Sequence, residues 1–354
     1  MKNFFLISTG GSGGHVLPAT ILYDHLCADA DVIISTDKRG LKYLDKDIYK
    51  FHIIDTPRLN NIFFFPINLI KILILVFKSF FLLKNYKIKK LISTGGYMSL
   101  PLIIAAKFLK INIYLIEPNH VLGRANKYFL NSCKKIFCYT EKIINFPDKF
   151  NKKKIIINPL VKKEIYDLSS TVKSNTKFNL LIVGGSQGAN IFDNNLKDIV
   201  VNISKKNSIR VIHQTNEKNI CILKKFYSKN KIENIIFSFE KNFHKIAHQA
   251  DLCITRAGAS TLAELSVLNI PFIAVPLPTS KDNHQLENAN YYKINNCCWI
   301  IEQNFFEKKI NMVLSEILED KRDYLEKKEN LKKLNYQNTW INVNQKILSN
   351  LNEN

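Results

Sequence analysis

Short apolar runs recur along this chain, and most are followed by a turn and a stretch with helical spacing. In the first half the strand-like runs are Phe4–Ser8, Asp31–Ser35, Lys90–Ser93, Ile111–Ile116, Ile136–Tyr139 and Ile155–Ile157, with helices from about His15 to Cys27 and from about Ser99 to Leu109. Strands that are apolar at nearly every position are buried on both faces. Alternating with helices, they predict a parallel sheet covered on both sides. The second half begins the pattern again with Leu180–Val183, Arg210–His213, Asn234–Phe237, Leu252–Ile254 and Phe272–Val275. The strand, glycine loop and helix start of the N-terminus (FFLISTGGSGG) is echoed at Phe178–Gly188. The fold class expected is α/β, with two Rossmann-like domains of similar design. The boundary is placed near Asn158-Pro159, giving domains 1–158 and 159–335. The Lys- and Asn-rich stretch from about Leu325 to Leu351 reads as a helical tail, with 336–354 expected to pack back on the first domain.

One segment departs from the pattern. Ile62–Leu83 is almost wholly apolar and just long enough to cross a bilayer. Pro66 and Asn68 interrupt its start, and Asn68, Lys71 and Lys78 fall along one stripe of a helix beginning near Ile67. A narrow polar stripe beside a broad apolar face, followed by Lys84, Lys87, Lys89 and Lys90, favours a helix lying on an anionic membrane surface over Ile62–Lys90. A core helix is the second reading, and a spanning helix the third.

The chain has 354 residues, enough for two cores. Its formal net charge of +21 suits a polyanionic partner, but Lys, Asn and Ile are abundant everywhere, so charge alone selects none. Seven scattered cysteines form no CxxC pair and are expected to be reduced, as in the cytosol. The N-terminus lacks the pattern of a signal peptide.

Four constellations carry the candidate chemistry. The loop Gly10-Gly11-Ser12-Gly13-Gly14-His15 follows a strand and opens a helix, where backbone N–H groups meet anions. Val16 replaces the last glycine of a dinucleotide fingerprint, and no Gly-Lys-Ser/Thr of a P-loop follows. The loop Gly184–Gly188 repeats the design and adds the donors Ser186 and Gln187. Together the loops suit a diphosphate held without a metal, since no carboxylate or His/Cys cluster has ligand spacing. Thr255–Thr261 starts a helix, where Ser260 and Thr261 can cap and donate to phosphate. Glu264, one turn on, is equally a ribose ligand or a glutamate placed for the helix dipole. The polar cluster Asp282-Asn283-His284-Gln285 with Asn288 suits a hexose pocket or an ordinary helix start.

In combination these residues resemble the MurG family of UDP-N-acetylglucosamine transferases, glycosyltransferase family 28. The resemblance runs from Gly10 to about Gln303. It rests on GGSGGHVLPA (Gly10–Ala19), STGGYMSLP (Ser93–Pro101), Glu117-Pro118-Asn119 with GRANK (Gly123–Lys127), GGSQGA (Gly184–Ala189), TRAGASTLAEL (Thr255–Leu265) and KDNHQLENA (Lys281–Ala289). It implies a GT-B fold whose two sheets face an interdomain cleft, and peripheral association with the cytoplasmic face of the inner membrane. It also implies metal-independent, inverting transfer of GlcNAc from UDP-GlcNAc to the C4 hydroxyl of undecaprenyl-diphospho-muramyl-pentapeptide in peptidoglycan synthesis. No cofactor and no nucleic acid is expected.

By matched position, His15, Asn119 and Gln285 are the catalytic candidates, with His15 the leading general base and hydrogen bonding to acceptor or diphosphate its rival role. Ser12, Gly13, Gly14, Asn119, Ser186, Gln187, Gly188, Ala259, Ser260, Thr261, Glu264, His284 and Gln285 are the binding candidates. Ser12 stands where many members have threonine, and His284 where some have glutamine. After Asn158-Pro159 the family usually has Val-Arg; here the run is Leu160-Val161-Lys162-Lys163, and Lys162 is the substitute considered for that arginine. A related transferase with a diacylglycerol acceptor and a UDP-GlcNAc epimerase are the alternatives. A basic, non-catalytic nucleic-acid or membrane binder is disfavoured by the motifs.

Overall fold

The computed structural model describes residues 3–57, 65–169, 176–185 and 190–353. The chain divides into two units, Met1–Leu160 with Val343–Asn354, and Val161–Asn342.

Among the described residues the first unit holds a seven-stranded parallel sheet. Its strands are β1 (Asn3–Ser8), β2 (Ala30–Thr36), β3 (Phe51–Ile53), β4 (Lys90–Ser93), β5 (Asn112–Glu117), β6 (Lys135–Cys138) and β7 (Lys154–Ile156). They are ordered β3-β2-β1-β4-β5-β6-β7. The strand order reverses between β1 and β4, which pair directly, so loops leaving their carboxyl ends diverge and open a crevice there. The first glycine loop leaves β1, and Thr94-Gly95-Gly96 leaves β4. Leu6, Leu91, Leu115 and Ile136 of the sheet pack with Leu102, Ile103 and Ala106 of the helix Leu100–Phe108.

The second unit repeats the plan with β8 (Phe178–Val183), β9 (Ile209–Gln214), β10 (Glu233–Phe237), β11 (Leu252–Thr255), β12 (Phe272–Ala274) and β13 (Cys298–Ile300), ordered β10-β9-β8-β11-β12-β13. The apolar run of β8 is explained by its two packed faces. Leu180 and Ile182 join Phe192, Leu196 and Val200 on one side, while Leu181 and Val183 join Ala263 and Leu265 on the other. Here the switch point lies between β8 and β11, which carry the Gly184–Gly185 and Thr255–Gly258 turns.

The apolar segment forms the helix Phe65–Asn85, the one helix among the described residues long and apolar enough to cross a membrane. Its Ile62, Phe63 and Phe64 lie outside the described residues. Ile72, Ser79 and Leu83 are buried on one line of the helix; burial is confined to that side, so the helix is not enclosed in the core. On the opposite face Ile67, Ile70, Leu73, Ile74, Phe77 and Phe81 are 50% to 67% exposed, flanked by exposed Lys71 and Lys78. Asn68, on the same stripe as Lys71 and Lys78, is half-buried.

The tail is two helices rather than one, Lys321–Leu334 and Trp340–Asn352. The break falls where Asn335 Nδ2 donates to Ser266 Oγ at 2.7 Å and Asn338 Oδ1 accepts from Tyr166 Oη at 3.0 Å. From Val343 the last helix belongs to the first unit, where Tyr114 Oη donates to Leu351 O (3.4 Å) and Lys90 Nζ to Asn352 Oδ1 (3.1 Å). His25 Nδ1 donates to Asn344 Oδ1 at 3.2 Å.

Burial pushes the His25 imidazole down from 6.5 to about 4, with the Asn344 bond a smaller opposing influence. Between these values the unfolded chain binds the extra proton. Stability from this group is therefore intact above pH 6.5 and lost as pH falls toward 4, on the order of 3 kcal/mol in all. His25→Gln is expected to flatten the acid limb of a urea-unfolding profile; an unchanged slope would contradict this.

Candidate active site and family

At the β1/β4 switch point the helix Gly13–Leu26 begins two residues earlier than its apolar spacing predicts. Gly13 and Gly14 are therefore first-turn residues, and their N–H groups have no intrahelical acceptor, the arrangement that receives anions. Ser12 is the N-cap residue and is exposed. His15 Nδ1 lies 2.8 Å from the Thr94 carbonyl oxygen, so Nδ1 donates. In the neutral ring Nε2 then carries the lone pair, as a base requires. The ring rests on the glycine turn after β4. A Cβ on Gly95, whose φ is +92°, would lie 3.4 Å from His15 Cε1 and 3.5 Å from Asn126 Nδ2.

Asn126 connects this turn to the end of β5. Its Nδ2 donates to Ile116 O (3.0 Å) and to Glu117 Oε2 (2.9 Å). Glu117 is 2% exposed and also accepts from Gly123 N (2.7 Å), Asn119 N (3.2 Å) and Asn119 Nδ2 (3.1 Å). Burial pushes its carboxyl up, against these N–H donors, which favour the carboxylate. Glu117 thus turns the Asn119 amide nitrogen toward itself and the Asn119 Oδ1 away. Glu117 and Asn126 were not among the sequence candidates. The available signal was an acidic residue closing a buried parallel strand beside the switch point.

In the second unit Gly185 N donates to Gln214 Oε1 at 3.2 Å, with Gly185 at φ +78°. Ser186, Gln187 and Gly188 lie outside the described residues. The helix Ala259–Val267 has Gly258 as its N-cap residue and no side-chain cap. Ser260 and Thr261 therefore do not cap it, contrary to expectation; with Ala259 they form the first turn, half-buried, with N–H groups at the positive end of the helix dipole. Glu264 is 7% exposed, and burial pushes its carboxyl up to about 7 despite the opposing charge of Lys162. Lys162 donates to Lys241 O at 3.4 Å, so it stands in the second unit within electrostatic reach of Glu264.

Gln285 Oε1 accepts from Ala257 N (3.2 Å) and Leu277 N (3.0 Å), tying together the turns after β11 and β12 and leaving its amide nitrogen as the donating end. Asn288 Nδ2 donates to Ala257 O at 3.2 Å, so both polar groups of the Ala257 backbone are held from the helix His284–Ile294. His284 Nδ1 donates to Lys281 O at 2.8 Å. Arg256 clamps the turn through Val275 O (3.1 Å) and Gln303 Oε1 (2.6 Å). The candidates thus gather into two sets. Ser12–His15 and Asn119 belong to the first unit; Lys162, Ala259–Thr261, Glu264, His284 and Gln285 belong to the second.

Two family descriptions match this chain: the glycosyltransferase family 28 N-terminal domain over residues 5–138, and its C-terminal domain over residues 179–339. The chain belongs to glycosyltransferase family 28. A family-28 relative from Pelagibacter ubique (strain HTCC1062) is 46% identical over the whole of both chains. One from Rickettsia canadensis (strain McKiel) is 36% identical over 86% of this chain and 87% of its own. Both are named UDP-N-acetylglucosamine–N-acetylmuramyl-(pentapeptide) pyrophosphoryl-undecaprenol N-acetylglucosamine transferase. Among solved structures, Acinetobacter baumannii MurG superposes with a TM-score of 0.73 at 22% identity, covering 94% of this chain and 95% of that one. A UDP-GlcNAc 2-epimerase from Neisseria meningitidis superposes with a TM-score of 0.67 at 13% identity over the full length of both chains. At such identities these likenesses establish the fold that GT-B enzymes share, and the full-length relatives discriminate between activities.

Proposed function

We propose that this chain transfers GlcNAc from UDP-GlcNAc to the C4 hydroxyl of undecaprenyl-diphospho-muramyl-pentapeptide, forming a β1,4 link with inversion in peptidoglycan synthesis. The full-length 46% identity to a relative of that name carries the reading. The diacylglycerol and epimerase alternatives have no comparable support.

The geometry fits direct displacement. His15 Nε2 takes the proton of the attacking hydroxyl while Thr94 O holds the ring, and Asn119 Oδ1 orients the acceptor. In the second unit Glu264 takes the ribose hydroxyls, and the Gln285 amide nitrogen takes the sugar. First-turn N–H groups of Ala259–Thr261, together with Lys162, take the diphosphate as UDP departs. Ser186, Gln187 and Gly188 belong to the same grip by motif. Holding both substrates in one orientation supplies much of the acceleration. The product from UDP-GlcNAc and a short-chain acceptor analogue should show the anomeric proton coupling of a β linkage by NMR; an α linkage would overturn the displacement.

The helix Phe65–Asn85 supports peripheral attachment to the cytoplasmic face of the inner membrane. Its outward apolar face and flanking lysines match an anionic interface, while its buried line anchors it to the first unit. Burying one such phenylalanine contributes about 1.5–3 kcal/mol. Phe77→Asp with Phe81→Asp is therefore expected to weaken binding to anionic vesicles at least about a hundredfold. Turnover on a water-soluble acceptor should persist; unchanged vesicle binding would remove this helix from the interface.

A further inference from the structure

Asp37, at the carboxyl end of β2, lies outside the motifs and has no part in the mechanism above. It is fully buried, with both carboxylate oxygens occupied. Oδ1 accepts from Gly11 N and Gly40 N, each at 2.8 Å. Oδ2 accepts from both Arg39 Nε (2.9 Å) and Nη2 (2.6 Å), two charge-assisted bonds converging on one oxygen. Arg39 Nη2 also donates to Tyr97 Oη, and its guanidinium carbon lies 5.4 Å from the centre of the Tyr97 ring. Burial alone would push the Asp37 carboxyl up, but the two backbone N–H groups and the guanidinium outweigh it and hold it below its ordinary value.

The backbone is pressed onto this node. A Cβ on Gly10 would meet Asp37 Oδ1 at 2.6 Å, and one on Gly40 would meet Gly10 Cα at 2.8 Å. One arm of the node therefore fixes the glycine loop that leads into the His15 helix. Through Arg39 the other arm reaches Tyr97, the residue after the Gly95–Gly96 turn on which the His15 ring rests. The Gly11 N–H is consumed by Asp37 and the Ser12 N–H by Gly10 O (3.1 Å), which leaves ligand contact to the Gly13 and Gly14 N–H groups and the Ser12 hydroxyl.

We propose that Asp37 and Arg39 are positioning residues for the transfer. They lock the Gly10–Gly14 loop to the Gly95–Tyr97 turn and so set the placement of His15 and the Tyr97 hydroxyl, acting through Gly11 and Tyr97. This rests on the function proposed above. A lysine at position 39 keeps the charge but loses the second nitrogen, Nε, which with Nη2 fixes the planar guanidinium on Asp37 while Nη2 also reaches Tyr97. Arg39→Lys is expected to lower kcat about tenfold to a hundredfold with the KM for UDP-GlcNAc within about twofold, because the donor contacts belong to the other unit. In a Tyr97→Phe background the same change should add less than about threefold, since residues acting in series are non-additive. A general loss of fold would instead lower the melting temperature and change both KM values.

Wild-type kinetics in Arg39→Lys, or effects that simply multiply in the double variant, would overturn the proposal. If wild-type protein shows no acceptor-dependent turnover, the proposed function fails separately. The node is still read by hydrogen exchange. The Gly11 and Gly40 amides should exchange at least about tenfold faster in Asp37→Ala than in wild type, while Gly13 and Gly14 are unaffected. Equal exchange at Gly11 and Gly40 would refute the lock itself.

Discussion

Replacing His15 by alanine is expected to lower kcat by about 10²–10⁴-fold, the span that a positioned general base contributes. UDP-GlcNAc affinity should stay within about twofold, since the candidate donor contacts lie in the second unit and His15 in the first. The prediction rests on the tautomer. Thr94 O can only accept, so His15 Nδ1 keeps its proton and Nε2 is the basic nitrogen. His15→Gln removes the base while retaining an amide near the Thr94 carbonyl, so it separates proton transfer from ring placement. With base catalysis, both variants lose the acid-side fall of the wild-type kcat profile, because that fall reports protonation of Nε2. If His15 only donates a hydrogen bond to the acceptor, glutamine rescues most of the activity and the profile keeps its shape. Steady-state kinetics with a short-chain acceptor analogue distinguish the two.

Glu264 carries the second large effect. Burial raises its carboxyl to about 7, yet a ribose diol is gripped best by a carboxylate. Ligand binding must therefore expel a proton. Taking only the ionised form as competent, UDP-GlcNAc affinity should rise about eightfold between pH 6 and 7.5, with proton release measurable by titration in two buffers. UDP-GlcNAc is the proper probe, because its diphosphate is a diester without a proton to lose in this range. Stability runs the other way. The free protein holds this proton more tightly than the unfolded chain, so unfolding free energy from this group declines as pH rises from 4.5 through about 7. Glu264→Gln should abolish both slopes and weaken UDP-GlcNAc about tenfold, the difference between a charged and a neutral acceptor. Glu264→Ala should weaken it about a hundredfold. Calorimetric affinities that are flat with pH in the wild type would remove Glu264 from the ribose.

Much of the fold was legible because parallel strands advertise themselves. Leu180–Val183 is apolar at successive positions since both faces of β8 are packed, and glycines mark where β1, β4 and β8 end. The candidate residues Ser12–His15 and Asn119 were legible as motifs, although what holds them was not. Asp37 and Arg39 sit in a stretch that reads as an ordinary polar turn after a strand, and their value arises only where β2 lies beside β1 and brings Asp37 to Gly11. Glu117 opens the Glu117-Pro118-Asn119 motif, but its control of Asn119 and Asn126 depends on the turn that follows β5. Hydroxyl residues at a helix start commonly cap it, but this helix begins at Ala259 with Gly258 before it, which moves Ser260 and Thr261 into the first turn and leaves only their phosphate role. The break in the tail has no proline or glycine to announce it, and side-chain bonds from Asn335 and Asn338 define it instead.

Transfer from UDP-GlcNAc is expected to require the lipid-linked acceptor. Its most direct test is UDP release by purified protein in excess EDTA, with and without a short-chain undecaprenyl-diphospho-muramyl-pentapeptide analogue. Release is expected only with the analogue, undiminished by EDTA and collapsed in His15→Ala. Conversion of UDP-GlcNAc without the analogue, or no release with it, would rule out acceptor-dependent transfer.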